Sequence, residues 1–591
     1  MSAIDLIRDA CAEEYGAILL HGRSLYDFVC DNGKIRPLFE ALRRMLYREF
    51  GMLFVIYNKA NGLNWFESWI ADPHDRQMVR DAFQKSGMLS LPPKENETVA
   101  MLRAAAHLLR SGTADLKWHD GRPMRVGMCF EFTEHFAPCV APGGQAEVQL
   151  VISEHIHILS QSLALRTSGN RLFFHGRLQH IDELVAGHIK KIRIPQPDKE
   201  EKAEFLKTAL DIYPNARFEN GIDADGVLAL TTHTPNRGIE NLLRASDRSG
   251  RPLTAAEIAE QKNLDVKELS EGTLRPLDTR RVHDVNLVGR NVEVPRAILH
   301  RWARMLLKND QMTPANVLLA GGPASGKTDL TLEVAFLAQC PAYQMLSPKD
   351  GIVGGTERKA RQQQDALKEW QPCVAAIDEL TETFPVDRGG FNGDSGASLA
   401  VIAELLTGLS DQTRCGRSVI LATTNRVSSI GPALLTRFVV LPVLFPLKQD
   451  FPSIIAEIAR KLLSGITFDP SDQKLKKAGD IFYSKGAGPR HIRTALTNVA
   501  TTVDGLTDGG EIALLAAGDL IPTHNFLSVV YADLQAIRHC TSKRLLPWDG
   551  DNVHTYTFPD YLSGIVDPAT GDIDLSAIDR RIKELEPYSN V

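Results

Sequence analysis

The stretch Gly321-Gly322-Pro323-Ala324-Ser325-Gly326-Lys327-Thr328 most restricts what this chain can fold into, because it fits the pattern G-x-x-x-x-G-K-[ST]. An apolar run at 316–320 leads in as a buried strand would, and 329–339 leads out with the spacing of an amphipathic helix. Strand, glycine-rich loop and helix in that order make a phosphate cradle. The glycines let backbone N–H groups turn inward around phosphate oxygens, and the helix N-terminus adds partial positive charge. The pattern assigns Lys327 to the β- and γ-phosphates and Thr328 to Mg2+.

A second feature sits downstream. Cys373-Val374-Ala375-Ala376-Ile377-Asp378-Glu379 is a short apolar run closed by two carboxylates. A buried parallel strand that ends in acids at its carboxyl edge lies where ligands bind in an open α/β sheet. Asp378 is expected to hold the Mg2+ shell, and Glu379 to orient and polarise an attacking water. Phosphoryl transfer depends on positioning and charge neutralisation, so these acids with Lys327 and Thr328 form a minimal hydrolytic set.

At 591 residues the chain is too long for one core and predicts about three or four domains. Its 43% hydrophobic and 24% charged content is that of ordinary globular protein. Lys and Arg (67) nearly balance Asp and Glu (73), for a net charge of -6, which argues against bulk binding to nucleic acid or anionic membrane. A local basic groove could still hide in that average. Residues 1–9 lack the pattern of a secretory signal, and the apolar stretch 438–447, with two prolines, is too short to cross a bilayer. The eight cysteines are scattered singly, without zinc spacing, as buried thiols of a reducing cytoplasm would be. Cys129, Cys139 and Cys373 are the candidates for redox sensitivity.

The first half reads as an eroded version of the same unit. A strand at 15–20 is followed by His21-Gly22-Arg23-Ser24-Leu25, a helical pattern to Glu49 and a strand at 52–57. The turn after the first strand has neither the glycine nest nor the lysine. The strand at 125–132 ends in Phe130-Glu131-Phe132, without adjacent acids. Further strand-like runs lie at 148–153, 170–174 and 188–194, the last closed by Pro195 and Pro197. Helical patterns follow at 200–212 and 236–246. This predicts an α/β domain at 1–197 with a helical lid at 198–270, structural or regulatory rather than hydrolytic. His135 and His175 receive no role.

Residues 271–284 mix Gly, Pro and charge as a linker would. After a helix at 295–307 and the phosphate loop come a strand at 342–346 and Lys349-Asp350-Gly351-Ile352-Val353-Gly354-Gly355. That apolar pair either contacts something or tucks inward. A second glycine-rich loop spans 387–396. The buried strand 418–423 ends in Thr424-Asn425-Arg426, where Asn425 can reach a γ-phosphate or its water, or cap the next turn.

Pro432-Ala433-Leu434-Leu435-Thr436-Arg437-Phe438 follows. The succession of phosphate loop, Asp-Glu strand, strand-end Asn and this segment resembles the AAA+ ATPases. The resemblance implies that Arg437 projects into a neighbouring subunit's nucleotide site as an arginine finger. It also implies that Gly488-Pro489-Arg490 opens a lid helix, with Arg490 contacting phosphate within its own subunit. Two departures stand out: Thr436-Arg437-Phe438 replaces a Gly-Arg-Phe-Asp ending, and Ile352 stands where many protein-threading members carry an aromatic.

The fold expected from all this is α/β, with two P-loop NTPase-type parallel-sheet modules in tandem, each followed by a small helical lid. The first is a degenerate module, while 271–446 is an active ATPase domain, 447–521 its lid and 522–591 an extension with helices at 526–543 and 575–585. The resemblance implies a hexameric cytoplasmic ring in which ATP hydrolysis remodels a protein client. A nucleic-acid motor or loader, and a slow nucleotide-gated assembly scaffold, are the competing expectations.

Overall fold

The computed structural model describes residues 3–588 apart from 14, 91–96, 134–136, 138–146, 177–184, 186, 220–226, 229–230, 232–233, 271, 279–281, 283–286, 339, 349–354, 385–394, 464, 504 and 523–524. The loop carrying Ile352 and Val353, most of the loop 387–396, His135 and Cys139 therefore lie outside the described residues. The chain divides into two compact units, residues 1–269 and 270–591.

In the first unit the strands are β1 (Ala17–Gly22), β2 (Phe28–Asp31), β3 (Lys34–Pro37), β4 (Met52–Asn58), β5 (Gly62–Asn64), β6 (Arg125–Glu131), β7 (Arg171–Gly176) and β8 (Lys190–Ile194). Six of them form a sheet in the order β5-β4-β6-β7-β1-β8. All neighbours are parallel except the β4–β5 hairpin. The second unit contributes β9 (Leu274–Pro276), β10 (Asn316–Ala320), β11 (Ala342–Met345), β12 (Cys373–Ile377), β13 (Ser418–Thr424) and β14 (Val439–Pro442). Their order is β14-β10-β13-β12-β11-β9, parallel except for β9.

Numbered along the chain, the five parallel strands of either sheet run fifth-first-fourth-third-second. The two modules therefore share one topology although only one carries the phosphate-loop sequence. The arrangement places the carboxyl ends of the first, third and fourth strands around one crevice, where an open α/β sheet binds ligands. β10, β12 and β13 are buried along their whole length, which explains why they read as unbroken apolar runs. After each sheet come helices: Lys199–Ile212, Asn236–Ser249 and Ala255–Leu269 in the first unit. The second has Phe451–Leu462, Gln473–Ser484, Pro489–Thr502 and Gly509–Asp519, which share a core that includes Ile455, Phe482, Leu496 and Ala513.

Several local expectations fail, each for a physical reason. The segment predicted as helix directly after Leu25 begins instead with the hairpin β2–β3. Its turn is Asn32-Gly33, both at positive φ (51° and 72°), the geometry that Asn-Gly favours in a two-residue hairpin. The helix starts only at Leu38. Residues 148–153 belong to the helix Glu147–Ser160, not to a strand. Its β-branched composition suggests a strand, but the buried residues Ile152, Ile156 and Leu159 recur at helical spacing. The linker at 271–284 supplies β9, which pairs antiparallel with β11. The helix at 526–543 stops at Arg538.

Candidate active site

The phosphate loop joins β10 to the helix Lys327–Leu337 and closely follows its neighbours. A Cβ at Gly321 would stand 2.0 Å from the Val443 carbonyl oxygen, so no side chain fits there. Ala324 takes a left-handed backbone, φ 57°, within the loop. Lys327 is buried, and its ammonium donates to the carbonyls of Gly321 (3.0 Å) and Gly322 (2.6 Å), to Ser325 Oγ (3.3 Å) and to Asn425 Oδ1 (2.7 Å). Pro323 and Gly326 complete the loop and are half-buried.

Parallel pairing of β12 with β13 brings the acids to this loop. Asp378 Oδ1 accepts from Thr328 Oγ1 (3.2 Å) and from Thr423 Oγ1 (2.9 Å). The same Thr423 hydroxyl accepts from the backbone N–H of Glu379 (3.0 Å). Glu379 is itself left-handed, φ 47°, an uncommon conformation for a non-glycine residue that persists only where the surroundings hold it. Asn425, past the end of β13, donates from Nδ2 to Glu379 Oε1 (2.5 Å) while its Oδ1 receives Lys327. That amide thus bridges lysine and glutamate instead of capping the following turn.

Burial lowers the Lys327 pKa to about 8, opposed by the nearby Glu379, Asp533 and Asp378 carboxylates. Burial raises the Glu379 pKa, opposed chiefly by Lys327. The sign for Lys327 is that the ammonium is present below about 8 and lost above it. Nucleotide affinity is therefore expected to fall as the pH rises from about 7 to about 9, because a polyphosphate needs the cation. A titration with a fluorescent nucleotide checks this, and a flat profile contradicts it.

Thr328 is exposed beside the Asp378 carboxylate. A hydroxyl and a carboxylate oxygen side by side are hard donors of the kind Mg2+ takes, so Thr328 and Asp378 fit that ion. Arg490 lies in the first turn of the helix Pro489–Thr502, and its charge acts on Lys327. A Cβ at the preceding Gly488 would come within 2.5 Å of the Ala324 carbonyl oxygen, so this helix start sits directly on the phosphate loop. Arg437 is not brought to this loop. Its Nε donates to Ser410 Oγ (2.7 Å) and its Nη1 to the Ala433 carbonyl.

Sequence reasoning missed two residues here. Thr423 positions both acids, and its one signal was its place two residues before Asn425. Asp533 gave no signal at all. It sits on the helix Phe526–Arg538, whose N-cap is Asn525, within the C-terminal extension. Fully buried, it accepts from the Gly322 N–H (3.3 Å), the Phe445 N–H (3.0 Å) and the Tyr561 hydroxyl (2.9 Å). Burial raises its pKa to about 6. Asp533→Ala would leave two buried backbone donors and the part-buried Tyr561 hydroxyl unpaired and is expected to cost ~3 kcal/mol or more. The readout is an earlier urea transition with weakened nucleotide binding, and an unchanged transition would contradict the bracing role. The extension also touches the segment before the loop, where the Tyr556 hydroxyl donates to Asn291 Oδ1 (2.7 Å).

The candidate redox cysteines within the described residues, Cys129 and Cys373, are buried, and burial raises both pKa values away from the reactive thiolate.

A phosphate loop on the first strand, paired acids on the third and an amide after the fourth define a P-loop nucleoside triphosphatase site. Residues 317–443 match the family described as "ATPase family associated with various cellular activities (AAA)". Residues 317–443, within the second unit, are thus an ATPase domain of the AAA type. The chain is 26% identical over 272 residues to a "Cell division cycle protein 48 homolog" of Archaeoglobus fulgidus, covering 42% of this chain and 37% of that protein. It is 37% identical over 141 residues to a "Nuclear valosin-containing protein-like" protein of Mus musculus, covering 22% of this chain and 16% of that relative. An "Uncharacterized AAA domain-containing protein ycf46" of Trieres chinensis is 30% identical over 154 residues, covering 24% of this chain and 30% of that protein. The chain thus spans well under two thirds of the length of these relatives. Among the described residues no helix is long and apolar enough to cross a membrane.

Proposed function

We propose that residues 271–446, with the lid 447–521, bind ATP with Mg2+ and hydrolyse it. The observation that carries this is the continuous hydrogen-bonded set from Lys327 through Asn425 to Glu379, with Thr328 and Asp378 paired beside it. Lys327 and the loop N–H groups receive the phosphates, and Thr328 and Asp378 hold the metal. Bound there, magnesium supplies charge neutralisation on the phosphate oxygens. Glu379, with its pKa raised by burial, accepts the proton of the attacking water, and Asn425 aims that carboxylate.

Arg490 reports phosphate to the lid from the same chain. Arg437, held on its own chain by exposed-side contacts away from the loop, serves the site of an adjacent copy in a cytoplasmic hexameric ring. Lid movement against the loop, through Gly488 on Ala324, turns hydrolysis into remodelling of a protein client. The unit 1–269, a degenerate module without a phosphate loop, stabilises the ring or receives the client. The near-balanced charge favours a protein client over the nucleic-acid motor, and an intact hydrolytic set favours turnover over a slow scaffold.

The test compares ATPase rates with unfolded protein, with DNA and with neither, in the parent chain and in Arg437→Ala. Unfolded protein is expected to stimulate. Arg437→Ala is expected to bind ATP normally and, above the assembly concentration, to turn over ~10³-fold more slowly. Equal turnover by that variant would contradict a shared site, and stimulation by DNA alone would favour the motor.

A further inference from the structure

The helix Phe526–Arg538 of the C-terminal extension runs from the lid to the outer edge of the sheet and passes the phosphate loop on the way. Its far end is fixed to the sheet. Thr541, just beyond the helix, donates its N–H to the Val440 carbonyl (3.3 Å) and accepts the Val440 N–H on Oγ1 (2.7 Å), which holds the edge strand β14. Its near end lies in the lid. The Phe526 ring packs with its centroid 5.1 Å from that of Tyr483 and 6.2 Å from that of Phe445, and Tyr483 meets Phe451 at 5.7 Å. Tyr483 belongs to the lid helix Gln473–Ser484, and Phe451 opens the first lid helix.

Between the two ends, Val529 and Asp533 are four residues apart and so share one face of the helix. Both are buried. A Cβ at Gly322 of the phosphate loop would stand 3.0 Å from Val529 Cγ1, and a Cβ at Gly486, just ahead of the lid helix Pro489–Thr502, would stand 3.4 Å from Val529 Cγ2. One valine thus touches loop and lid together. Asp533 divides its carboxylate in the same sense. Its Oδ1 accepts from the Gly322 N–H (3.3 Å), and its Oδ2 accepts from the N–H of Phe445 (3.0 Å), in the short connection between β14 and the lid. A planar carboxylate cannot follow Gly322 without drawing on Phe445, and close-packed interiors pass such displacements on rather than absorb them.

We propose that this helix transmits the state of the phosphate loop to the lid, with Asp533 as the positioning residue that ties Gly322 to the lid's entry at Phe445. This role rests on ATP binding at the same loop, and it adds a second connection to the direct contact of Gly488 on Ala324. The C-terminal extension is then a working part of the ATPase.

The experiment is hydrogen exchange of the full-length chain with and without saturating ATP and Mg2+, in a Glu379→Gln background that keeps the nucleotide intact. ATP is expected to protect the phosphate loop and the lid helices Gln473–Ser484 and Pro489–Thr502. Adding Asp533→Asn, which keeps the size but turns an amide donor on one of the two N–H groups, should leave the loop protected and abolish the lid's response. Val529→Ala should do the same and decides the question if Asp533→Asn does not fold. Tyr561→Phe removes the hydroxyl donor from the same carboxylate and keeps both ties, so the lid should still respond. Because coupling is reciprocal, ATP affinity in Asp533→Asn is expected to fall about tenfold. A full lid response in folded Asp533→Asn or Val529→Ala overturns the proposal, as does its loss in Tyr561→Phe, which would make the carboxylate a purely structural brace. Loop protection without any lid response in the Glu379→Gln background overturns the coupling alone, whereas absence of ATP binding by the parent chain overturns the nucleotide site and the coupling with it.

Discussion

Lys327→Ala is expected to lose most of its nucleotide affinity. The ammonium is the one side-chain cation inside the loop, and it is held between two loop carbonyls and Asn425, at the place a polyphosphate must reach. Truncating one partner of a buried, hydrogen-bonded charge pair costs roughly 2–5 kcal/mol, which at ~3 kcal/mol weakens ATP about a hundredfold. The fold should persist, because burial lowers the pKa of Lys327 and the ammonium is a load on the free protein rather than a brace. Calorimetric titration with ATP, run beside thermal melting, checks both halves. Binding retained at parent strength would remove the basis for the site, while a collapsed melt would assign the lysine to structure.

Glu379→Gln separates binding from chemistry. Glutamine keeps the oxygen that receives Asn425 Nδ2, so the arrangement around the strained residue at φ 47° survives. What disappears is the anion that accepts the proton of water. General-base contributions are typically 10²–10⁴-fold, so single-turnover hydrolysis is expected to fall by about that factor while ATP affinity is unchanged. A variant that hydrolyses at the parent rate would exclude Glu379 as the base. One that loses ATP affinity would instead place the residue in nucleotide binding. Because burial raises the Glu379 pKa, the parent's hydrolysis should decline on acidification before an exposed carboxylate would titrate.

What was legible in the chain was what is contiguous in it. The residues 321–328 contain both the backbone freedom and the side chains of a phosphate loop, and the acids Asp378 and Glu379 follow directly on the apolar strand that carries them. The family resemblance rests on the same local order, and the matched region 317–443 is that order. Where a strand is buried on both faces, its composition declares it. That is why β10, β12 and β13 were read correctly, whereas the half-exposed helix Glu147–Ser160, with Val148, Leu150 and Ile158 open to solvent, was not.

Only the tertiary structure decided which distant residues complete each crevice. Asp533 meets Gly322 across 211 residues, and no spacing rule reaches that far. Thr423 acquires its role from strand register, since it faces Asp378 only because β12 and β13 pair as they do. The cavity at the carboxyl edge of the first unit's sheet is the sharper case. Gly22, Glu131, His175 and Gln196 are far apart in sequence and each is ordinary alone. Parallel strands joined by long crossovers bring their ends together, and only the folded sheet does so.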